Sequence, residues 1–169
     1  MFLDHDKYAQ TVGDDLSGVT ALSKSLLFIK TLSVPDCGIG PNGLQILATT
    51  LATAGLVEVD ISENLIAAPV SRDGDNKPPW TSYDSDLSGM EALCSVLPSS
   101  KVKSIKFTNC VLGPKAISVL SSSLATAGVE AMDLSNNPFD PGDLEAPANM
   151  KISVDGCAIP DSESDADDY

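Results

Sequence analysis

The residues of this chain best suited to chemistry are carboxylates at alternate positions. Glu58 and Asp60 are separated by one residue, and Asp133 repeats the position of Asp60 at an offset of 73. In a strand, alternate side chains point to one face, so we expect these acids and Lys106 on one surface, with Glu63 at its end. Glycosidase or metal chemistry needs paired carboxylates in different environments, which this row lacks. We interpret it as a hydrophilic interaction surface.

Other candidates for chemistry are weaker. His5, the only histidine, has no nearby Cys or Ser partner and is interpreted as a surface residue. Residues 38–43 spell Gly-x-Gly-x-x-Gly, but the matching residues 111–116 keep only one of these glycines, so turn geometry explains them better than nucleotide binding. The sequence therefore predicts no catalytic residue, no cofactor site, no metal site and no enzymatic activity.

The candidate residues belong to an internal repeat. Residues 51–55 recur letter for letter as residues 124–128, an offset of 73. The same offset carries residues 32–41 and 60–64 onto closely similar segments later in the chain. Self-similarity at a fixed offset is typical of repeat architectures, in which one structural unit is stacked on the next.

Each copy of the repeat contains two shorter units of the form apolar-x-x-apolar-x-apolar-x-x-(Cys or Asn)-x-apolar, and a weaker fifth unit ends the chain. The central alternation predicts a short strand with one buried face, and the rest of a unit predicts a helix that begins after Asp15 or Asp86 or near a proline. No unit can bury its own apolar face, so we expect the units to stack. The Cys or Asn positions form a structural ladder: Cys37, Asn64, Cys110, Asn137 and Cys157.

This pattern resembles the leucine-rich repeat, and the alternation of Cys and Asn is similar to its ribonuclease-inhibitor-like subclass. The resemblance covers about residues 15–159. It implies an α/β fold, namely a short solenoid of about five units with an inner parallel β-sheet and outer helices. It also implies a non-catalytic module for protein–protein interaction, such as a small accessory subunit of a larger assembly. The alternative is a regulator of a small GTPase, because the Ran GTPase-activating protein joins similar repeats to an acidic tail.

The chain divides into three parts. Residues 1–14 are an N-terminal segment that is compatible with a truncated repeat. Residues 15–159 form the repeat domain, which carries an inserted loop at residues 69–85 with three prolines and one glycine before Trp80. Residues 160–169 are an acidic tail that we expect to be disordered because of its charge density.

The inserted loop is the second candidate binding site. It holds Trp80, the only tryptophan of the chain, near Tyr83, with the cations Arg72 and Lys77 close by. Trp and Tyr are enriched among residues that dominate binding energy, so these four residues predict contact with a partner. The alternative is that Trp80 folds back on the repeats and fills a gap.

Net charge limits the class of partner. The chain carries a formal charge of −14, of which the tail supplies −5. Such a surface repels nucleic acid and anionic membranes and favours a protein partner with a basic surface. In the tail, Ser162 and Ser164 each have an aspartate three residues on, which is the pattern of acidic-directed kinase sites.

Cysteine spacing and the N-terminus predict an intracellular protein of the cytoplasm, with an organelle as the alternative, and we expect no signal peptide and no direct membrane insertion. Cys-type units are separated by an Asn-type unit, roughly 10 Å for two strand spacings, which is too far for a disulfide. We therefore expect Cys37, Cys110 and Cys157 to be reduced, buried and equivalent in position, and Cys94 to be a reduced residue on a helix.

Overall fold

The computed structural model describes residues 15–71 and 79–159, and over these residues the chain forms helices and short strands. The helices are α1 (Ser17–Ser25), α2 (Pro41–Leu51), α3 (Ser88–Val96) and α4 (Pro114–Leu124). The strands are β1 (Thr31–Ser33), β2 (Glu58–Asp60), β3 (Val70–Ser71), β4 (Trp80–Ser82), β5 (Ser104–Lys106), β6 (Ala131–Asp133) and β7 (Lys151–Ser153). Single 3-10 turns follow α1 and α3 and precede β7.

Five of the strands form one parallel sheet in the order β1-β2-β5-β6-β7. Equivalent residues of successive units are paired without slippage, as in Val59 opposite Ile105 and Ile105 opposite Met132. The prediction of an α/β fold with a parallel sheet and helices is therefore confirmed. β2 pairs directly with β5, so no strand is inserted between them in this sheet.

Alternation of burial along each strand explains why the sheet forms. The central residues Leu32, Val59, Ile105 and Met132 are buried and join one core cluster with the helices. Full burial of an aliphatic side chain of this size stabilises the fold by about 1.5–3 kcal/mol. The residues on either side of each central one point away from this cluster, which leaves the other face of the sheet open.

Short polar side chains and small residues place the helices. Asp15 Oδ1 accepts the Ser17 N–H at 2.9 Å, and Asp86 Oδ1 accepts the Ser88 N–H at 2.9 Å, so both aspartates lie at helix starts as predicted. Gly89 allows α3 to approach α2 closely, because a Cβ at this position would lie 2.6 Å from the Pro41 carbonyl oxygen.

The segment predicted as an inserted loop contains a two-stranded antiparallel ribbon of β3 and β4. Val70 is paired with Ser82 and Ser71 with Trp80, and Thr81 Oγ1 donates to the Val70 carbonyl at 3.1 Å. The β-branched and aromatic residues at these positions favour a strand, and the prolines and glycine between them do not prevent it. Residues 72–78, with Arg72 and Lys77, lie outside the described residues.

The same turn follows every strand of the main sheet. In each turn, the residue directly before the Cys or Asn of the ladder has left-handed backbone geometry. Such geometry is unfavourable for most residues with a Cβ and is tolerated best by Gly and Asn. These residues are Asp36 (φ 49°), Glu63 (φ 60°), Asn109 (φ 55°), Asn136 (φ 59°) and Gly156 (φ 70°).

Two buried asparagines tie the turns at Cys37 and Cys110 to the next unit. Asn64, only 1% exposed, accepts the N–H groups of Cys37 at 3.1 Å and Ile39 at 2.9 Å with its Oδ1. Asn137 does the same for the N–H groups of Cys110 and Leu112, both at 3.0 Å. Each Nδ2 also donates to carbonyl groups in both turns: Val34, Ile61 and Ser62 for Asn64, and Phe107, Leu134 and Ser135 for Asn137.

The cysteines of the ladder are free but not equally buried. Cys110 is fully buried, donates its S–H to the Ile61 carbonyl at 3.4 Å, and has its pKa raised by burial to about 12. Cys37 is exposed and Cys157 is half-buried, so the prediction that all three are buried is wrong. Cys37 and Cys157 are less buried than Cys110 because each lies in a unit at one end of the described sheet.

Candidate interaction surface

The register of the sheet aligns polar side chains in two rows across the face that the helices leave uncovered. We call this surface the open face and define it by the first and third residues of the five strands. The first row is Thr31, Glu58, Ser104, Ala131 and Lys151. The second row is Ser33, Asp60, Lys106, Asp133 and Ser153.

Two shallow cavities lie side by side on the open face. The first, which we call the acidic cavity, measures about 300 Å³ and spans β1, β2 and β5, with Glu58 and Asp60 in its lining. The second, which we call the lysine cavity, measures about 340 Å³ and spans β5, β6 and β7, with Lys151 in its lining. Ser104 and Lys106 line both cavities.

The acidic cavity has two carboxylates that are held in place by hydrogen bonds. Glu58 Oε2 accepts the Thr31 hydroxyl at 3.4 Å, which directs the glutamate toward β1. Asp60 Oδ1 accepts the Ser62 N–H at 3.1 Å, immediately after its own strand. Within residues 15–71 and 79–159, the only side-chain ion pair is Lys103 with Glu130, at 3.0 Å, so neither carboxylate is paired with a described cation.

The lysine cavity combines two cations with one carboxylate. Lys106 and Lys151 are exposed, and Ala131, on β6 between their strands, has a small side chain that leaves space. Burial acts to raise the pKa of Asp133, but hydrogen bonds from the side chain and N–H of Ser135, with help from Thr108 and the charge of Lys106, lower it overall. Asp133 therefore carries its charge at neutral pH.

The arrangement is suited to binding polar groups of another molecule. Lys106 lies between Asp60 and Asp133 in the second row, about 4.8 Å from each strand neighbour along the hydrogen-bonding direction. Charges of both signs therefore alternate over a short distance on a shallow surface. Over the described part of the chain, no three His, Cys, Asp or Glu side chains are grouped to hold a metal ion.

Four of the predicted interaction residues come together on this face: Glu58, Asp60, Lys106 and Asp133. Glu63 does not join them. It is exposed in the turn beyond β2, where its left-handed backbone allows its N–H to donate to the Thr108 carbonyl at 2.8 Å. The spacing of the acids could not reveal this, because Glu63 follows the strand by three residues.

The predicted aromatic anchors lie on the ribbon, apart from both cavities. Trp80 is half-buried in β4. Tyr83 is also half-buried, burial raises its pKa, and its Cβ lies 2.6 Å from where a Cβ on Gly113 would be. Tyr83 therefore packs against the start of α4. Ser162 and Ser164, like Arg72 and Lys77, lie outside the described residues.

Sequence reasoning missed Asp84, which fastens the ribbon to α4. Its carboxylate is buried, with Oδ1 accepting the Gly113 N–H at 2.8 Å and Oδ2 accepting the N–H groups of Lys115 at 2.9 Å and Ala116 at 3.2 Å. Gly113 is required here, because a Cβ would lie 2.6 Å from Asp84 Oδ2. An ordinary N-cap precedes its helix directly, whereas this acceptor is 29 residues away from Gly113 in sequence, so no local signal existed.

Two further observations bear on what the chain is. None of the described helices combines the length and apolar character needed to cross a bilayer. No protein-family model matches the chain, and no curated protein matches it. Among the described residues, the open face combines two cavities with charges that form no ion pair there.

Proposed function

We propose that the chain is a short leucine-rich repeat solenoid of the ribonuclease-inhibitor-like kind that binds a protein partner at the open face and catalyses no reaction. Three features support the repeat assignment. Strand centres recur at 27-residue intervals within each copy, as from Leu32 to Val59. All five strands of the main sheet share one register. The two buried asparagines make equivalent hydrogen bonds one copy apart.

The observation that carries the binding function is the pair of adjacent cavities that share Ser104 and Lys106. Their charges are not matched by ion pairs with other described residues, although Asp60 and Lys106 are neighbours in register. Charges left free at fixed positions on a rigid sheet are available to a partner with a complementary pattern, which gives specificity and faster association.

The size of the open face bears on the kind of complex. Five strands of three residues cover about 19 Å by 10 Å, or roughly 200 Å² in projection. A stable interface buries about 800 Å² on each partner, so the open face alone would give weak binding. A second contact, such as Trp80 and Tyr83 on the ribbon, or membership of a larger assembly would supply the rest. The net charge of −14 would steer a partner with a basic surface toward the chain.

Site-specific photocrosslinking in cells tests the proposal. A benzophenone amino acid is introduced at Ser104 on the open face, at Thr81 on the ribbon, or at Ser122 on the exposed side of α4 as a matched control. We expect one partner protein to be crosslinked from Ser104 and not from Ser122. Thr81 reports whether the ribbon takes part in the same complex.

The identified partner is then purified for affinity measurements. Lys106→Glu should weaken its binding at least about tenfold while circular dichroism and melting stay unchanged, since Lys106 is exposed and makes no described ion pair. Equal crosslinking from Ser104 and Ser122, or unchanged affinity in Lys106→Glu, would contradict binding at the open face.

A further inference from the structure

The two cavities differ in charge and lie at a fixed separation. The acidic cavity is centred on β2 and the lysine cavity on β6, with β5 between them. Two strand spacings separate their centres, which is about 9.6 Å. A ligand that fills both cavities must therefore cross the strands and present two side chains at about this distance.

Each cavity favours a different side chain. In the acidic cavity, Glu58 and Asp60 have only a hydroxyl and a backbone N–H as described hydrogen-bond partners, and Lys106 is one cation beside two carboxylates, so a further cationic side chain is favoured there. In the lysine cavity, Lys106 and Lys151 flank the small residue Ala131, so a carboxylate fits there. Asp133 is a competing acceptor, but its oxygen Oδ1 is already bonded to the Ser135 N–H at 3.0 Å.

We propose that the occupant of the open face is an extended segment of the protein partner with one basic and one acidic side chain three residues apart. The basic side chain enters the acidic cavity and the acidic side chain enters the lysine cavity. This inference rests on the proposed function, because it names the part of a partner that the open face recognises.

Backbone geometry selects the spacing of three. In a polyproline II segment, residues i and i+3 point the same way and are about 9.3 Å apart, close to the separation of the cavities. In a β-strand, residues i and i+2 are about 6.6 Å apart and residues i and i+4 about 13 Å apart, and neither distance matches. We therefore expect the segment to bind in the polyproline II conformation.

Lys106 adds discrimination between ligands. It lies beside both cavities, so a segment with two basic side chains would bring its second cation close to Lys106 and Lys151. Like charges at such distances weaken binding and exclude wrong partners. A segment that is purely basic should therefore bind less well than one with mixed charges, despite the acidic character of the chain as a whole.

Synthetic peptides test the inference on the full-length protein. The probe is an acetylated and amidated proline octapeptide with lysine and glutamate three positions apart, made in both orders. Matched peptides carry spacings of two and four, two lysines three apart, or one lysine alone. Binding is followed by amide chemical shifts of the isotope-labelled protein. We expect one order of the spacing-three peptide to bind at least about fivefold tighter than every matched peptide, with shifts at Ser104, Lys106 and Ala131.

A charge exchange strengthens the test. Glu58→Lys should abolish binding of the mixed peptide and raise the affinity for a peptide in which glutamate replaces the lysine at least about fivefold. Glu145→Lys makes the same charge change at an exposed residue that lines neither cavity, and it should leave both affinities unchanged. If lysine alone binds the open face as well as the mixed peptide, or if no peptide shifts the open-face amides, the inference is overturned. Crosslinking from Ser104 would still support the proposed function in that case, and its absence would remove both.

Discussion

The two copies of the internal repeat have closely similar sequences but different surroundings. In the first copy Cys37 is exposed and Val34 is half-buried, whereas their counterparts in the second copy, Cys110 and Phe107, are both fully buried. Ile29 is 37% exposed where its counterpart Val102 is 1% exposed. The second copy has strands on both sides in the sheet, while β1 is an edge strand of the described sheet. Burial at a repeated position therefore depends on its neighbours more than on its own sequence.

The turns and helix starts of the two copies also differ. Before the ladder residues, the left-handed positions are Asn109 and Asn136 in the second copy and Asp36 and Glu63 in the first. One residue after the Cys the order is reversed, with Gly38 in the first copy and the β-branched Val111 in the second. At the helix starts, Asp84 binds three N–H groups of α4, and the N-cap of α2 has no side-chain hydrogen bond. The second copy thus has the better enclosure and the additional cap, while neither copy has the better turn geometry throughout.

The largest expected difference between the two copies is in the rate at which their cysteine thiols are alkylated. We expect iodoacetamide at pH 8 to label Cys37 in the native protein at least about a thousand times faster than Cys110. Burial raises the pKa of Cys110 from 9.0 to about 12, which leaves about a thousandfold less thiolate. Peptide mapping by mass spectrometry measures the rates, and labelling in urea should equalise them. Comparable native rates would show that Cys110 is not enclosed.

Core truncation should give the next largest contrast. Phe107→Ala should lower the free energy of unfolding by about 3–5 kcal/mol, because a large buried ring is removed. Val34→Ala, at the same position of the first copy, should cost about 1 kcal/mol, since less area is removed and the site is half-buried. Urea unfolding of both variants measures the difference. Equal losses would mean that the first copy is as well enclosed as the second.

Removal of the Asp84 carboxylate should leave the start of α4 without a side-chain hydrogen-bond acceptor, as at the start of α2. Asp84→Ala should lower stability by about 2 kcal/mol, because the N–H groups of Gly113 and Ala116 are buried and would lose their acceptor. The control Asp86→Ala should cost about 0.5–1 kcal/mol, since Asp86 binds a single part-buried N–H. Thermal unfolding at matched pH compares them. A larger loss for Asp86 would contradict the role assigned to Asp84.

The smallest expected effect is a gain in stability from a single turn. Glu63→Asn should stabilise the protein by about 0.5–1 kcal/mol, because Asn tolerates the left-handed geometry better than Glu does. The reciprocal variant Asn136→Glu should lose a similar amount. Both changes are measured by denaturant midpoints, and a gain from Asn136→Glu would mean that turn geometry does not set the difference.

The strands and their register could be predicted because they depend on short-range pattern. Alternation places Val59 and Ile105 in the core, and a shared spacing then aligns every unit with its neighbour. The residues of the open face followed from the same alternation, which is why Glu58, Asp60, Lys106 and Asp133 were placed together. Glu63 lies in the turn beyond β2 and lines neither cavity, because it follows the strand rather than belonging to it.

What could not be predicted depends on contacts between distant segments. The burial of Cys37 and Cys157 depends on which units flank them, and the repeated pattern is the same for end units and internal units. Asp84 binds a helix that begins about 30 residues later, and the contact exists only because the ribbon is folded against α4. Neither fact is encoded in a local spacing.

The buried asparagines have a consequence for how the chain forms during its synthesis. The Cys37 N–H donates to Asn64 Oδ1, and the Cys110 N–H donates to Asn137 Oδ1, so each turn is closed by an asparagine 27 residues later. At ribosomal rates of about 5–20 residues per second, a turn that has emerged waits roughly 1–5 s for the residue that closes it. During translation each of these two turns is therefore open until its asparagine has been added, and it closes about one unit behind the growing end of the chain.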